Sequence, residues 1–219
     1  MIRQIAKVKK LMIIYIDEVG RWPLAGPVYV WLILIKGKVS FKGYKDSKKC
    51  TQKLREALYQ RIIKEKNVHR TTAKCEHGFI DKYWISKAIH TAITKGLEDL
   101  LSKQIKEEII GLKHIIKHIG SENIILVLDG NHDFKLRKTL GIEVATIIHG
   151  DDLIPQISMA SIIAKVERDT EMIAYHKKYP KYGFNQHKWY GTLLHRTAIQ
   201  QYGPCRIHRK SYLTKLKKI

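Results

Sequence analysis

Three apolar runs in this chain of 219 residues end in carboxylates. Leu11–Ile16 leads into Asp17 and Glu18, Ile124–Leu128 into Asp129 and Gly130, and Val144–Ile148 into His149, Gly150 and Asp151. A carboxylate at the edge of a buried strand is costly unless it is solvated, paired or bound to a cation. One such acid is ordinarily a helix cap or a turn former. Three in one chain point elsewhere: if the three strands are neighbours, Asp17, Glu18, Asp129 and Asp151 converge on one small volume. Converging carboxylates repel each other, and an all-oxygen set suits Mg²⁺ or Mn²⁺ rather than zinc. On a basic protein, such an acidic hole suggests phosphodiester hydrolysis, with one ion activating water and a second stabilising the leaving oxygen. Adjacent acids on an ideal strand point to opposite faces, so Asp17 and Glu18 can share a site only where their strand is ending.

The elements that must hold these acids alternate between strand and helix. Leu11–Ile16, Val28–Ile35, Ile124–Leu128 and Val144–Ile148 read as buried strands, and Val68–Cys75 as a further one. Leu54, Ala57, Leu58 and Ile62 have helical spacing behind Thr51, a suitable N-cap. Two helical patterns follow, one through Ile85, Ala88, Ile89, Ala92 and Leu97, the other through Ile105, Ile109, Leu112, Ile116 and Ile119. A helix is expected over Ser158–Tyr175 and a last one near Thr192–Gln201. This alternation predicts an α/β sheet covered by helices, whose sites collect where strands end.

Composition narrows the function. Forty-one Lys and Arg against 20 Asp and Glu give a formal net charge of +21, which favours a polyanionic partner, nucleic acid first. Cys50, Cys75 and Cys205 are scattered and odd in number, against a disulfide framework or a cysteine-based zinc site. No apolar stretch approaches the roughly 18 residues that span a bilayer, and the apolar run behind the basic N-terminus stops at Asp17, too short for a signal peptide. The expectation is a cytoplasmic monomer with no membrane partner. The eleven histidines contain no HExxH motif, and His187, His195 and His208 read as phosphate contacts or surface residues.

Longer segments carry a resemblance. DEVGRWPLAGPV (Asp17–Val28), YKDSKK (Tyr44–Lys49), LDGN (Leu128–Asn131), HGDDLIPQISMASIIAKVERD (His149–Asp169), YGFNQHKWYGT (Tyr182–Thr192) and YGPCRIHRKSY (Tyr202–Tyr212) are similar, in order and over nearly the whole chain, to the motifs of type 2 ribonucleases H. The resemblance implies a ribonuclease-H-like mixed five-stranded sheet flanked by helices, with residues 1–175 as the catalytic core. Residues 176–219 would be a small helical C-terminal extension over the substrate groove. It implies that Asp17, Glu18, Asp129 and Asp151 hold two Mg²⁺ or Mn²⁺ ions; Asp152 competes for the last place, but the pattern sets its acid directly after the glycine. It implies further that the Gly20–Arg21–Trp22 turn reads the ribose 2′-hydroxyl, that Tyr190 packs on the neighbouring sugar, and that Lys48 meets a phosphate. The implied partners are RNA–DNA hybrids and duplex DNA containing ribonucleotides, cut to leave a 3′-hydroxyl and a 5′-phosphate. Type 3 relatives carry a long N-terminal substrate-binding domain; the 16 residues ahead of Asp17 favour type 2.

The pattern is broken at tryptophans. Trp22 and Trp189 stand where the family pattern has glycine, and Trp84 and Trp31 stand where glycine would fit. An indole in a recognition turn obstructs the approach of a ligand and resists positive φ. Two readings follow. In the first, these positions are glycines encoded by UGA and read as tryptophan; in the second, the substitutions are real and the indoles stack with each other or on a base. A catalytically impaired relative that only binds nucleic acid is the alternative function, and an unrelated metal-dependent nuclease or phosphatase would leave the ordered motifs unexplained.

Overall fold

A computed structural model of the chain describes residues 11–105 and 107–214. The reading of the N-terminal segment falls largely on residues 1–10, and the expected extension runs to 219; both stretches reach outside the described residues. Five strands form one sheet in the order β3-β2-β1-β4-β5, where β1 is Met12–Val19, β2 Val28–Ile35, β3 Val68–Cys75, β4 Ile124–Asp129 and β5 Glu143–Ile147. β2 is antiparallel to both β1 and β3, while β4 and β5 run parallel to β1, so the sheet is mixed. The strands that end in acids are the three consecutive ones, β1, β4 and β5.

β1 and β2 are apolar on both faces because helices cover both. On one side Ile14, Ile16, Val30, Leu32 and Leu126 pack against helix α2 (His77–Ser102) and helix α3 (Leu112–Ile119). On the other, Tyr29, Trp31 and Ile33 meet helix α1 (Gln52–Lys64) and helix α6 (Pro155–Lys178) through Leu58, Ile62, Met159 and Ile163. Gly96 lies against Leu32, close enough that a Cβ would overlap its side chain. The expected cap is present: the Thr51 hydroxyl accepts from Leu54 N–H at 3.3 Å.

Two elements depart from expectation. β1 does not stop at Ile16; its ladder with β2 continues through Asp17↔Trp31, Glu18↔Val30 and Val19↔Tyr29, whereas its pairing with β4 ends at Ile16↔Leu128. The second apolar period is shorter than expected, since Ile105 and residues 107–111 are not helical and Gly111 caps α3 at φ 91°. The apolar spacing continued past a glycine whose positive φ breaks the helix.

Short helices α4 (Leu136–Leu140) and α5 (Gly150–Leu153) lie on either side of β5 in sequence, and helices α7 (Phe184–His187), α8 (Leu193–Tyr202) and α9 (Lys210–Leu213) follow α6. This last part has its own core, in which Tyr182, Phe184, Trp189, Ala198 and Ile207 pack with Met172 of α6 and with Ala25. Ala25 also forms an isolated antiparallel bridge with His208, so the chain end is tied to the segment that follows β1.

Candidate active site

A cleft of about 530 Å³ opens at the C-terminal ends of β1 and β4. Asp17, Glu18, Asp129 and Asp151 all line it, and so do Gly20, Arg21, Trp22, Lys48 and Tyr190. Thus every residue expected at the site borders one space. Asp17 and Glu18 leave β1 where its β4 ladder has ended, which lets neighbouring side chains of a strand still paired on its other edge reach the same opening. Asp129 is the last residue of β4, and its Oδ1 accepts the Gly150 N–H at 2.7 Å. That bond joins the end of β4 to the start of α5. Asp151 is buried in the first turn of α5, and Lys48 Nζ approaches its Oδ2 at 3.4 Å. Asp152, the competing acid, turns away to Lys49 at 2.7 Å.

The electrostatics are those of an unneutralised acidic pocket. Burial, then the negative charges of Glu18, Asp129 and Asp151, holds the Asp17 carboxyl well above the usual carboxylate range. Burial likewise lifts Glu18 to about 7, despite the nearby Arg21. Asp151 is raised by burial and by Asp129, with Lys48 opposing. A divalent cation removes this penalty by supplying the missing opposite charge, and the donors are hard oxygens of the kind Mg²⁺ and Mn²⁺ accept. The side chains are not closed into a finished cage: among the described residues no three His, Cys, Asp or Glu groups already meet at ligand distance. An ion would draw together carboxylates now held by Gly150 N–H and Lys48.

The residues expected to recognise substrate differ in exposure. Trp22 is 71% exposed on the cleft rim, with the Arg21 guanidinium 5.3 Å from its ring centroid. Tyr190 is 42% exposed, and the guanidinium of buried Arg168 sits 5.4 Å from its ring. Trp189 instead is fully buried, edge-on to Tyr175 and Phe184, so the two tryptophans do not serve the cleft together. His195 and His208 correct the sequence reading: both are buried and hydrogen-bonded to each other under the Tyr190 loop and neither lines the cleft, whereas His187, also buried, stacks on His195 and does line it. Among the described residues no helix is long and apolar enough to cross a membrane.

Sequence reasoning missed two arginines. Arg168 donates to the Lys188 carbonyl at 2.9 Å, and Arg209, with no exposed surface, donates to the carbonyls of Gly20, Arg21, Gly26 and Pro27. Their partners are backbone oxygens, which leave no mark on side-chain patterns.

With the geometry in place, comparison with known proteins assigns the class and then the family. The fold is that of the ribonuclease H2 from Pyrococcus horikoshii (TM-score 0.68, 22% identity, 95% of this chain and all of that one). It is also that of Bst-RNase HIII solved in complex with Mn²⁺ (TM-score 0.64, 15% identity, 95% of this chain and 71% of that one). A ribonuclease HII from Caldicellulosiruptor bescii is 37% identical over 198 residues, 90% of this chain and 84% of that protein. The ribonuclease HII family model matches residues 14–215, and the chain belongs to that family of metal-dependent ribonucleases H.

Proposed function

We propose that this protein is an endonuclease that hydrolyses the RNA strand of RNA–DNA hybrids and cuts duplex DNA on the 5′ side of an embedded ribonucleotide. The observation that carries the reading is the meeting of four buried or half-buried acids with a glycine turn, a lysine and a tyrosine on one cleft of a chain with net charge +21. Asp17, Glu18, Asp129 and Asp151 would hold two Mg²⁺ or Mn²⁺ ions, which supply an activated water and a stabilised leaving oxygen. The chain's own residues do the rest. Gly20 at φ 90° has its Cα so near the Pro27 carbonyl that a Cβ there would sit 2.9 Å from the oxygen. The turn Gly20–Arg21–Trp22 is therefore tight enough to offer backbone to a ribose 2′-hydroxyl, the group by which a protein tells RNA from DNA. Tyr190 offers an aromatic face to the adjoining sugar. Lys48, whose Nζ lies 3.4 Å from Asp151 Oδ2 and is largely exposed, would meet a phosphate at the same cleft.

The test is cleavage of a DNA duplex containing one ribonucleotide, with Mg²⁺ or Mn²⁺. The expected result is a nick 5′ of the ribonucleotide leaving 3′-hydroxyl and 5′-phosphate, with kcat lowered at least about 100-fold by Asp129→Asn, since loss of a metal ligand removes transition-state charge stabilisation. A folded protein that binds the duplex and never cuts it would replace this reading with that of a nucleic-acid-binding relative.

A further inference from the structure

The turn and the tyrosine that flank the cleft come from residues 20–22 and 190, far apart in the chain, yet both are tied to one dipeptide. Arg209 is a buried fork: its Nε donates to Gly26 O at 2.9 Å, Nη1 to Arg21 O at 3.1 Å, and Nη2 to Gly20 O at 2.6 Å and Pro27 O at 3.0 Å. Its own N–H donates to Leu24 O at 2.8 Å, and Tyr212 Oη donates to Arg21 O at 2.9 Å. The neighbouring His208 works in the other direction. The carbonyl of Tyr190 can only accept, so His195 Nδ1 donates to it at 2.9 Å and, in the neutral ring, His195 Nε2 is an acceptor. His208 Nε2 must then be the donor across the 3.1 Å contact between the rings, leaving His208 Nδ1 to accept the Cys205 N–H at 2.9 Å. The tautomers of both rings follow from that one carbonyl. A direct strut completes the frame: Leu24 N–H donates to Trp189 O at 2.8 Å, next to Tyr190.

We propose that His208–Arg209 is a positioning element that fixes the Gly20–Trp22 turn and Tyr190 relative to each other, and thereby holds a bound ribonucleotide in the orientation that is cut. The inference rests on the proposed function for its catalytic consequence, but its mechanical content stands apart: loosening either residue loosens both walls of the cleft. The planar guanidinium supplies several fixed donors, and a lysine ammonium in its place cannot reach the same four carbonyls. A phenylalanine at 208 keeps ring volume and breaks the relay, whereas glutamine places an N–H near the position of Nε2.

Two readouts test this on the full chain. Hydrogen exchange of Arg209→Lys and His208→Phe is expected to show lost protection in both 20–26 and 188–192, with β1 and β4 unchanged and with His208→Gln resembling the parent. If each variant loosens only its own side, or neither side, the coupling is wrong whether or not the protein is a nuclease. In cleavage of the single-ribonucleotide duplex, both variants are expected to lose roughly 100-fold in kcat, the scale of a 1 Å misplacement, with little change in KM. A matching loss through KM, or retention of parental kcat with the turn visibly loosened, overturns the positioning role. A parent that does not cut removes the proposed function and leaves the exchange result to decide the coupling.

Discussion

Among the four tryptophans, backbone conformation separates two from the others. Trp84 has φ 68° and ψ 161° in the middle of α2, and Trp189 has φ 69°; the first of these lies in a region that glycine alone occupies without strain. Trp84 is 66% exposed, so its indole gains little from burial. Trp84→Gly is therefore expected to stabilise the protein by about 1–3 kcal/mol, the strain relieved, read from denaturant unfolding. Trp189 is buried, with an Nε1 that has no hydrogen-bond partner among the described residues. Truncating a buried tryptophan costs about 3–5 kcal/mol, but here relief of strain and of an orphaned donor offsets much of that. Trp189→Gly should cost under about 2 kcal/mol. Trp31 is the control: it has strand geometry, stacks on Tyr29 and donates from Nε1 to Glu167 at 2.8 Å, so Trp31→Gly should carry the full penalty. This pattern favours the UGA-glycine reading at 84 and 189; a UGG codon at either position ends it there. The acids of the cleft were legible in the sequence because each closes an apolar run. Arg168 and Arg209 were not, since nothing in a sequence says that an arginine will turn inward to bond carbonyls.

At the scale of elements, the segment after α6 is held by neutral histidines. Burial is the main cause that lowers His195 to about 3 and His208 to about 4. Their folded values lie below that of a free histidine, so the unfolded segment binds more protons as pH falls below about 6.5. The stabilisation is complete above that pH and is lost progressively toward 4 and 3, on the order of 1 kcal/mol or more per histidine by pH 5. Protonation also puts a hydrogen on both facing Nε2 atoms and breaks the relay. Exchange measured at pH 7 and pH 5 should show α7 and α8 losing protection before the sheet; uniform loss across the molecule would contradict it. Element boundaries were readable where spacing and a cap agreed, as at Thr51, while the helix expected near Thr192 proves to be capped by that residue's side chain, which accepts from His195 N–H. They were misread where apolar spacing ran on through Gly111. His195 and His208 were misread because their burial under a loop depends on backbone partners that side-chain spacing does not reveal.

For the molecule as a whole, charge is the dominant feature. An acidic cleft lies in a protein with 41 basic residues, so substrate binding should be governed by displaced counterions. If about six phosphates are engaged, affinity for a duplex should fall about 10³-fold between 50 and 200 mM salt. Fluorescence titrations across that range would measure the slope, and a flat one would show that basic residues do not contact the backbone. A helix-covered sheet followed from alternating strands and helices, and its mixed five-stranded character from the family resemblance, but the strand order and the tie between residues 20–27 and 208–212 had no signature in either.

That tie bears on how the protein is made. The Gly20–Trp22 turn is synthesised early, yet the donors that fix it belong to Arg209 and Tyr212. During synthesis the sheet's strands and all four acids have been added before those donors exist. A growing chain can thus gather its four acids while the turn beside them is still unanchored, and on the proposed function the geometry that positions a ribonucleotide is complete only once Arg209 and Tyr212 have joined.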